Sequence, residues 1–411
     1  MTGTAAVLVL VAIVAALALV RPAARRSGLG PWHPAVAWLG LHALFFALGS
    51  ALLALDGRTG PALYVTGAAL VFAISVAVSD RLAARRSRAP ATADGVGDTA
   101  PLRPVVVGAL AGLGVVLILP PLARVGLPFL VDDITGARVQ LAGPALQVLR
   151  VAVPALALAL VLLAPRRRAA WLAVGGLLAL EIALASRYLA AELLAIGVVG
   201  IGLAGWRIQP KMVIAGTLAS VIAFGGIQVL RAYDQAAGHE LAFAVDRTVS
   251  RVVLIQPRTL EALQTVIPAE HPHFDGLTWL RRLGPALGRS DIPNLGYWIY
   301  PRMFPAQEPP GYAAPGLVGE AWANFGTLGL AVFALFGVVA ERLGAFVGRR
   351  RHASGDIIAS AMTIVFVART HALGVNGFAL LVFLVVGWRI LAAVGLAGTA
   401  TAVRDTLRWR T

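Results

Sequence analysis

The chain has no cysteine, and Lys211 is its only lysine. The lack of cysteine excludes a disulfide framework, a thiolate metal site and a thiol nucleophile. Charged residues are also scarce, at 13% of 411 residues, whereas 58% are hydrophobic. A soluble domain cannot bury that much apolar surface. Composition therefore predicts an all-α polytopic membrane protein.

Apolar runs of membrane-spanning length recur along the chain. A spanning helix needs about 20 apolar residues, and this criterion predicts about eleven helices. We expect them near residues 4–20, 34–55, 61–79, 104–122, 144–164, 169–185, 189–205, 212–230, 315–340, 355–370 and 377–394.

Clusters of basic residues flank alternate ends of these helices. With eleven helices, all of the clusters fall on one face, which the positive-inside rule assigns to the cytoplasm. The sequence thus predicts a multi-pass membrane protein with its N-terminus outside and its C-terminus in the cytoplasm. Because the charge of +15 sits at helix ends, it indicates membrane anchoring and no nucleic-acid partner. The clusters are Arg21/Arg25/Arg26, Arg81/Arg85/Arg86/Arg88, Arg166/Arg167/Arg168, Arg207/Lys211, Arg342/Arg349/Arg350/Arg351 and Arg404/Arg408/Arg410.

Hydropathy divides the chain into successive segments. Residues 1–230 carry helices one to eight, including a cytoplasmic linker at 80–103. Residues 231–313 form one large extracytoplasmic loop domain, 314–395 carry the last three helices, and 396–411 form a cytoplasmic tail. A transporter seldom needs so long a loop, whereas an enzyme at the membrane surface often does.

Three arginines suggest a phosphate site near the outer face. Arg187 lies at the junction of two short apolar runs, where a buried charge is costly unless it faces protein or water. Arg247 and Arg251 are four residues apart in a segment with helical apolar spacing, so they share a helix face. Paired guanidinium groups suit a pyrophosphate. The alternative is that these arginines contact lipid headgroups.

Two residues are candidates for a general base. Glu320 begins an apolar helix within Gly319-Glu320-Ala321-Trp322-Ala323-Asn324-Phe325-Gly326. A carboxylate in a first helical turn is also stabilised by the helix dipole, so a structural cap is the alternative. His371 lies at the outer end of the tenth predicted helix and can accept a proton near neutral pH.

Metal and nucleotide motifs are weak. Glu270-His271-Pro272-His273-Phe274-Asp275 and Asp132-Asp133 have the residue types of metal sites, but too few ligands lie near either, and we interpret both as solvated loops. Gly200-Ile201-Gly202-Leu203-Ala204-Gly205 matches a dinucleotide fingerprint but lies within an apolar helix, where small residues serve packing. We expect no metal and no cofactor.

Residues 315–329 resemble a known family motif. Pro315-Gly316-Leu317-Val318-Gly319-Glu320-Ala321-Trp322-Ala323-Asn324-Phe325-Gly326-Thr327-Leu328-Gly329 is similar to the G-E-x-[YW]-x-N-F-G-x-x-G pattern of O-antigen and exopolysaccharide repeat-unit polymerases, the Wzy-like family. Ser186-Arg187 resembles a second landmark of that family, as does the single large late loop. The resemblance covers about residues 170–390, and related O-antigen ligases share the architecture.

The resemblance implies an inverting, metal-independent glycosyltransferase of the GT-C type. Such an enzyme transfers a glycan from an undecaprenyl-pyrophosphate carrier to the next lipid-linked unit, for a surface polysaccharide of the cell envelope. A polyprenyl-pyrophosphate-linked oligosaccharide, membrane lipids, and a chain-length regulator or flippase are the implied partners. The implied site residues are Arg187, Arg231, Arg247 and Arg251 for the pyrophosphate, Trp298, Arg302 and Asn324 for sugar, and Glu320 or His371 as the base.

Two alternatives remain open. A ligase of the same architecture would hand the glycan to a lipid or a protein. A transporter or flippase of lipid-linked sugars would require charges buried at mid-bilayer in several helices. The sequence offers few such charges beyond Arg150 and Glu181.

The orientation can be tested because the chain has no cysteine of its own. We expect an impermeant maleimide on intact cells to label Ala306→Cys and to spare Ala91→Cys, since the basic clusters place residue 306 outside and residue 91 in the cytoplasm. Labelling after permeabilisation is the control for accessibility of position 91. The opposite pattern on intact cells would overturn the orientation.

Overall fold

The computed structural model of the chain is helical throughout the regular structure that it describes. It describes residues 2–86, 104–128, 140–141, 153–158, 160–162, 168–183, 187–205, 238–281, 291–306, 312–350 and 354–373. Within these ranges there is no strand. The α-helices are α1 (Thr2–Arg26), α2 (Pro34–His42), α3 (Leu48–Leu55), α4 (Gly60–Arg86), α5 (Pro104–Val125), α6 (Arg168–Ala183), α7 (Arg187–Leu203), α8 (Glu240–Val249), α9 (Ile255–Val266), α10 (Leu277–Leu280), α11 (Leu295–Met303), α12 (Gly316–Phe325), α13 (Leu330–Arg350) and α14 (Ser354–Leu373).

Four helical segments in the described ranges are long and apolar enough to cross a membrane. They are Gly3–Arg26, Pro34–Leu55, Gly60–Arg85 and Gly316–Arg349. The all-helical prediction is therefore confirmed for this part of the chain, together with the spans expected near 4–20, 34–55 and 61–79. The total of eleven helices stays a prediction, since the helices expected at 212–230 and 377–394 lie outside the described residues.

The chain divides into two compact units that are discontinuous in sequence. The boundaries predicted from hydropathy, which separate the membrane helices from the loops on either side, stay predictions. Unit 1 comprises Met1–Ala91, Val249–Arg349 and Phe366–Phe383, and unit 2 comprises Thr92–Thr248, Arg350–Val365 and Leu384–Thr411.

Unit 1 is a helix bundle around an aromatic core. α1 packs along α4, and α9 packs against both α4 and α12. The Trp38 ring stacks on Phe72 with their centroids 3.9 Å apart, and Phe333 lies 6.0 Å away. All three side chains are fully buried, and they bring α2, α4 and α13 together.

Ion pairs mark the two ends of this bundle. At one end Arg26 Nε donates to Asp80 Oδ1 over 2.8 Å, and the buried Ser79 hydroxyl donates to Glu341 Oε2 over 2.7 Å. At the other end Arg58 pairs with Glu261 over 2.7 Å. The first end, called the basic end, carries the arginines of α1, α4 and α13. The second, called the loop end, carries the described residues of 255–281 and 291–306.

Two π-helical segments, Ala43–Ala47 and Ser250–Leu254, pack against one another in unit 1. The first joins α2 to α3, so Pro34–Leu55 is one continuous helix in three parts. Nearby, Gly49 lies so close to the second that an added Cβ would overlap the Val253 carbonyl and lie 2.8 Å from Pro257 Cγ. The missing side chain at Gly49 therefore allows the two backbones to touch.

The helix predicted at 315–340 is broken. α12 ends at Phe325, a 3₁₀ turn covers Gly326–Gly329, and α13 begins at Leu330. Gly326 has φ 56°, which a residue with a Cβ adopts at a cost, and its carbonyl accepts a hydrogen bond of 3.2 Å from the Tyr64 hydroxyl. The prediction missed the break because apolar residues continue through it.

Gly49→Ala tests the close approach. We expect it to destabilise the protein by about 1–3 kcal/mol, because the new methyl group forces the Pro34–Leu55 helix away from Val253. Gly40→Ala is the matched control in the same helix, since a Cβ there meets nothing within 4 Å. Helix propensity should leave that variant unchanged or more stable by about 0.5–1 kcal/mol. Thermal unfolding in detergent measures both, and equal midpoints would contradict the packing argument.

Candidate functional site

Buried polar residues from three helices of unit 1 lie near the start of α12. Gln256 and the His371 backbone border Gly316, the first residue of α12, and His42 borders the His371 ring. Gly316 has φ 58°, and a Cβ there would overlap the His371 carbonyl and lie 3.3 Å from Gln256 Oε1. The His371 ring lies 5.0 Å from the His42 ring. Three of these residues, His42, Gln256 and His371, are almost completely buried. We call the four residues the polar junction.

Hydrogen bonding fixes one histidine of the polar junction. His42 Nε2 lies 3.1 Å from the Val65 carbonyl oxygen, which can only accept, so this nitrogen carries the hydrogen. In the neutral ring, His42 Nδ1 is then an acceptor, and it has no hydrogen-bond partner. His42 can thus receive a hydrogen bond from a neighbouring donor.

The His371 ring is the nearest candidate for that donor. It packs 4.1 Å from the Trp38 ring and faces the Trp38 backbone, and neither of its nitrogens makes a hydrogen bond of normal geometry. A buried polar group without a partner costs about 1–3 kcal/mol. In native proteins such a group often has a catalytic role or binds a water or an ion.

Glu320 lies one helical turn beyond Gly316. Residues four apart share a helix face, and helical side chains incline toward the N-terminus, so the Glu320 side chain extends over the turn that holds Gly316. Glu320 is 9% exposed. It occupies the second turn of α12, and the first turn contains no acid. The alternative of a first-turn dipole cap therefore does not fit its position.

Asn324 ties α12 to α10 and to the loop before it. Its Nδ2 donates to Thr278 Oγ1 over 2.6 Å and to the Glu320 carbonyl over 2.8 Å. Two backbone hydrogen bonds of 3.1 Å, from Phe274 to Ala323 and from Asp275 to Asn324, join the same elements. Asn324 is fully buried, so it acts here as a structural link. Contact between Asn324 and sugar stays a prediction.

Trp298 and Arg302 form a stacked pair on α11. The guanidinium carbon of Arg302 lies 4.1 Å from the centroid of the Trp298 ring, and its Nη1 donates to the Trp298 carbonyl over 3.0 Å. The rings of His271 and Phe274 approach Trp298 at 5.2 and 5.4 Å. Because a cation covers one face of the indole, a sugar could stack there only if Arg302 moved. Contact of Trp298 and Arg302 with sugar stays a prediction.

Of the arginines predicted to hold pyrophosphate, Arg251 alone has a described side chain. It is exposed and lies in the π-helical segment Ser250–Leu254. Arg187 begins α7 and Arg247 lies in α8, but their side chains are outside the described part, as is all of Arg231. That Arg247 and Arg251 share one helix face therefore stays a prediction.

The histidines of residues 270–275 have structural contacts. The His273 ring lies 2.9 Å from where a Cβ on Gly326 would stand, and His271 stacks on Phe274 at 4.5 Å. In the described ranges, no three His, Cys, Asp or Glu side chains come together as a metal site would need. These rings instead pack the loop against the broken helix.

Sequence reasoning missed His42, Gln256, Arg369 and Thr370, all of which are buried. One signal was available: His42 is a lone titratable residue within an apolar span, and such residues usually face a bundle interior and serve function. Arg369 and Thr370 are neighbours of His371 in α14. Gln256 gave no comparable signal, because it lies in a segment that reads as polar.

A double-mutant cycle tests the link made by Asn324. We expect Asn324→Ala and Thr278→Val each to destabilise the protein, with a coupling free energy of about 1 kcal/mol between them. Thermal or denaturant unfolding in detergent measures all four corners of the cycle. Thr265→Val is a control, because its hydroxyl bonds only within its own helix, to the Glu261 carbonyl at 3.0 Å. Additive effects of the first two changes would show that the hydrogen bond contributes nothing.

No family model, curated protein or solved structure matches the chain. What the site does must therefore be inferred from its own residues and from the resemblance of residues 315–329.

Proposed function

We propose that the protein is a membrane glycosyltransferase of the GT-C type, with about eleven spanning helices, that polymerises lipid-linked oligosaccharide repeat units. Its donor is a growing glycan on undecaprenyl pyrophosphate, and its acceptor is a sugar hydroxyl of the next lipid-linked unit. The reaction takes place at the outer face of the bacterial plasma membrane, at the loop end of unit 1. The product is a surface polysaccharide.

One observation carries the proposal. Glu320, the acid of the G-E-x-W-x-N-F-G segment, is buried in a short helix that starts at the polar junction and is tied at its other end by Asn324. A carboxylate held in this way has a fixed position. A fixed proton acceptor is what deprotonation of a sugar hydroxyl requires.

The reaction is an inverting displacement. The acceptor oxygen forms a bond to the anomeric carbon, and the bond from that carbon to the pyrophosphate oxygen breaks with its electron pair. The acceptor proton goes to the Glu320 carboxylate, or to His371 as the alternative base. Arginines stabilise the charge that develops on the pyrophosphate, and we assign this role to Arg187, Arg231, Arg247 and Arg251. No metal is required in this scheme.

His42 gives His371 a way to act as the base. If a small rotation lets one His371 N–H donate to His42 Nδ1, the other His371 nitrogen becomes an acceptor. The rings are 5.0 Å apart, so the rotation is short. In this arrangement His42 positions His371, as the third member of a catalytic triad orients its histidine.

The stacked pair at the loop end completes the proposed site. Arg302 is exposed, and Trp298 is half-buried beside His271 and Phe274. We assign Trp298 and Arg302 to sugar contacts, with the guanidinium swinging off the indole when a sugar binds. Asn324 contributes by holding α12 against this loop.

Transport of lipid-linked sugars is a second candidate function. Titratable residues are buried in several helices, namely Glu192 in α7, Glu341 in α13 and Arg369 in α14, and that pattern favours a transporter. Purified protein in detergent discriminates between the two, because detergent micelles have no compartments. Polymer made there from lipid-linked units requires an enzyme. Transfer instead to a lipid or protein acceptor would support the ligase.

Glu320→Gln tests the catalytic proposal. The change keeps the shape of the side chain and removes the proton acceptor, so we expect the initial polymerisation rate in detergent to fall about 10²–10⁴-fold. Glu270→Gln is the matched control, since Glu270 is an exposed acid at the loop end and should keep the full rate. Polymer length on gels and unfolding midpoints complete the comparison.

The outcomes separate the two bases. A normal rate for Glu320→Gln with a large loss for His371→Gln would move the base to His371. Normal rates in both variants would overturn the assigned site. A wild-type protein that makes no polymer in detergent would contradict the proposed function itself.

A further inference from the structure

The basic end of unit 1 contains a groove of about 480 Å³ between α1 and the start of α2. Its walls combine apolar residues with two exposed arginines, Arg21 and Arg25, and none of the described lining residues is an acid. The lining residues are Leu17, Ala18, Arg21, Ala24, Arg25, Gly30, Pro31 and Val36.

The order of these residues along α1 matches the shape of a lipid. Leu17 and Ala18 lie about one turn before Arg21 and about two turns before Arg25. At 1.5 Å per residue, Leu17 is about 6 Å further into the apolar span than Arg21. Val36 extends the apolar wall on α2. The 3₁₀ turn Gly30–Trp32 follows α1 and closes the groove at the end near the arginines. Its Trp32 is half-buried, and tryptophan is enriched at the level of the lipid headgroups.

The charges in the groove are available to a ligand. Arg26, next in sequence, is engaged by Asp80. Arg21 and Arg25 make no ion pair with any described residue. The helix dipole favours a cation in the last turn of α1 and so accounts for Arg25, but Arg21 lies a full turn earlier.

We propose that this groove binds an anionic phospholipid of the adjacent leaflet. The phosphate lies between the guanidinium groups of Arg21 and Arg25, which offer bidentate donors, and an acyl chain lies along Leu17, Ala18 and Val36. The site does not depend on the proposed glycosyl transfer, to which none of the lining residues is assigned.

A fluorophore on Gly40→Cys reports occupancy. Gly40 is exposed on α2, one turn beyond Val36, and a side chain there meets nothing. The chain has no other cysteine. In mixed vesicles, nitroxide-labelled phosphatidylglycerol should quench this reporter at a mole fraction about thirtyfold lower than nitroxide-labelled phosphatidylcholine, which corresponds to about fivefold per arginine.

Three variants distinguish lipid binding in the groove from general attraction to surface charge. Arg21→Gln with Arg25→Gln should abolish the preference for phosphatidylglycerol. Arg81→Gln with Arg85→Gln removes the same charge from exposed residues of α4 at the same end and should keep the preference. Ala18→Phe fills the groove without changing charge and should reduce quenching. Unfolding midpoints establish that each variant is folded.

Several results would overturn the proposal. If the Arg21/Arg25 and Arg81/Arg85 variants lose the preference for phosphatidylglycerol equally, the preference comes from general surface charge and not from the groove. Unchanged quenching in Ala18→Phe would show that the lipid does not enter the groove. Displacement of the labelled lipid by millimolar inorganic phosphate would reassign the groove to a soluble anion, and no preference in the wild type would mean that no anionic ligand is selected.

Discussion

Unit 1 depends on helix backbones that touch at glycines. Within a bilayer, apolar side chains gain little by leaving lipid, so close packing must hold the helices together. At several glycines an added Cβ would overlap a neighbouring backbone or ring atom, so each of these contacts exists only because the side chain is absent. They are Gly49, Gly316, Gly329, Gly337, Gly344 and Gly348.

This close packing determines which polar groups can be satisfied. At the basic end, the short distances allow buried polar groups to pair, as in Ser79 with Glu341. At the polar junction the same tight contact leaves nitrogens of His42 and His371 and the oxygen of Gln256 without partners. Packing alone would favour apolar residues there, because buried polar groups without partners are costly. Their concentration around Gly316 is therefore the strongest structural reason to place function at this point.

Hydropathy predicted the helices of residues 2–86 well, because each is a continuous apolar run with charged or turn-forming residues at its ends. It could not predict the break at Gly326 or the π-helical segment Ala43–Ala47, since apolar residues continue through both. The π-helical segment Ser250–Leu254 lies in the region that hydropathy predicted as a loop. Glu320 and His371 could be selected as polar residues in recognisable surroundings. The pairing of His42 with His371 could not, because it depends on tertiary contact between α2 and α14 and leaves no local pattern.

The break at Gly326 also explains how Glu320 can be both buried and positioned. If α12 continued into α13, the orientation of Glu320 would follow from the packing of a long spanning helix against α2 and α4. The turn at Gly326–Gly329 separates them, so α12 takes its position from its own contacts. These are the polar junction at its start, Leu263 of α9 beside Gly319, and Thr278 of α10 at its end. A short helix held at both ends can place a carboxylate accurately without constraining the helices that cross the membrane.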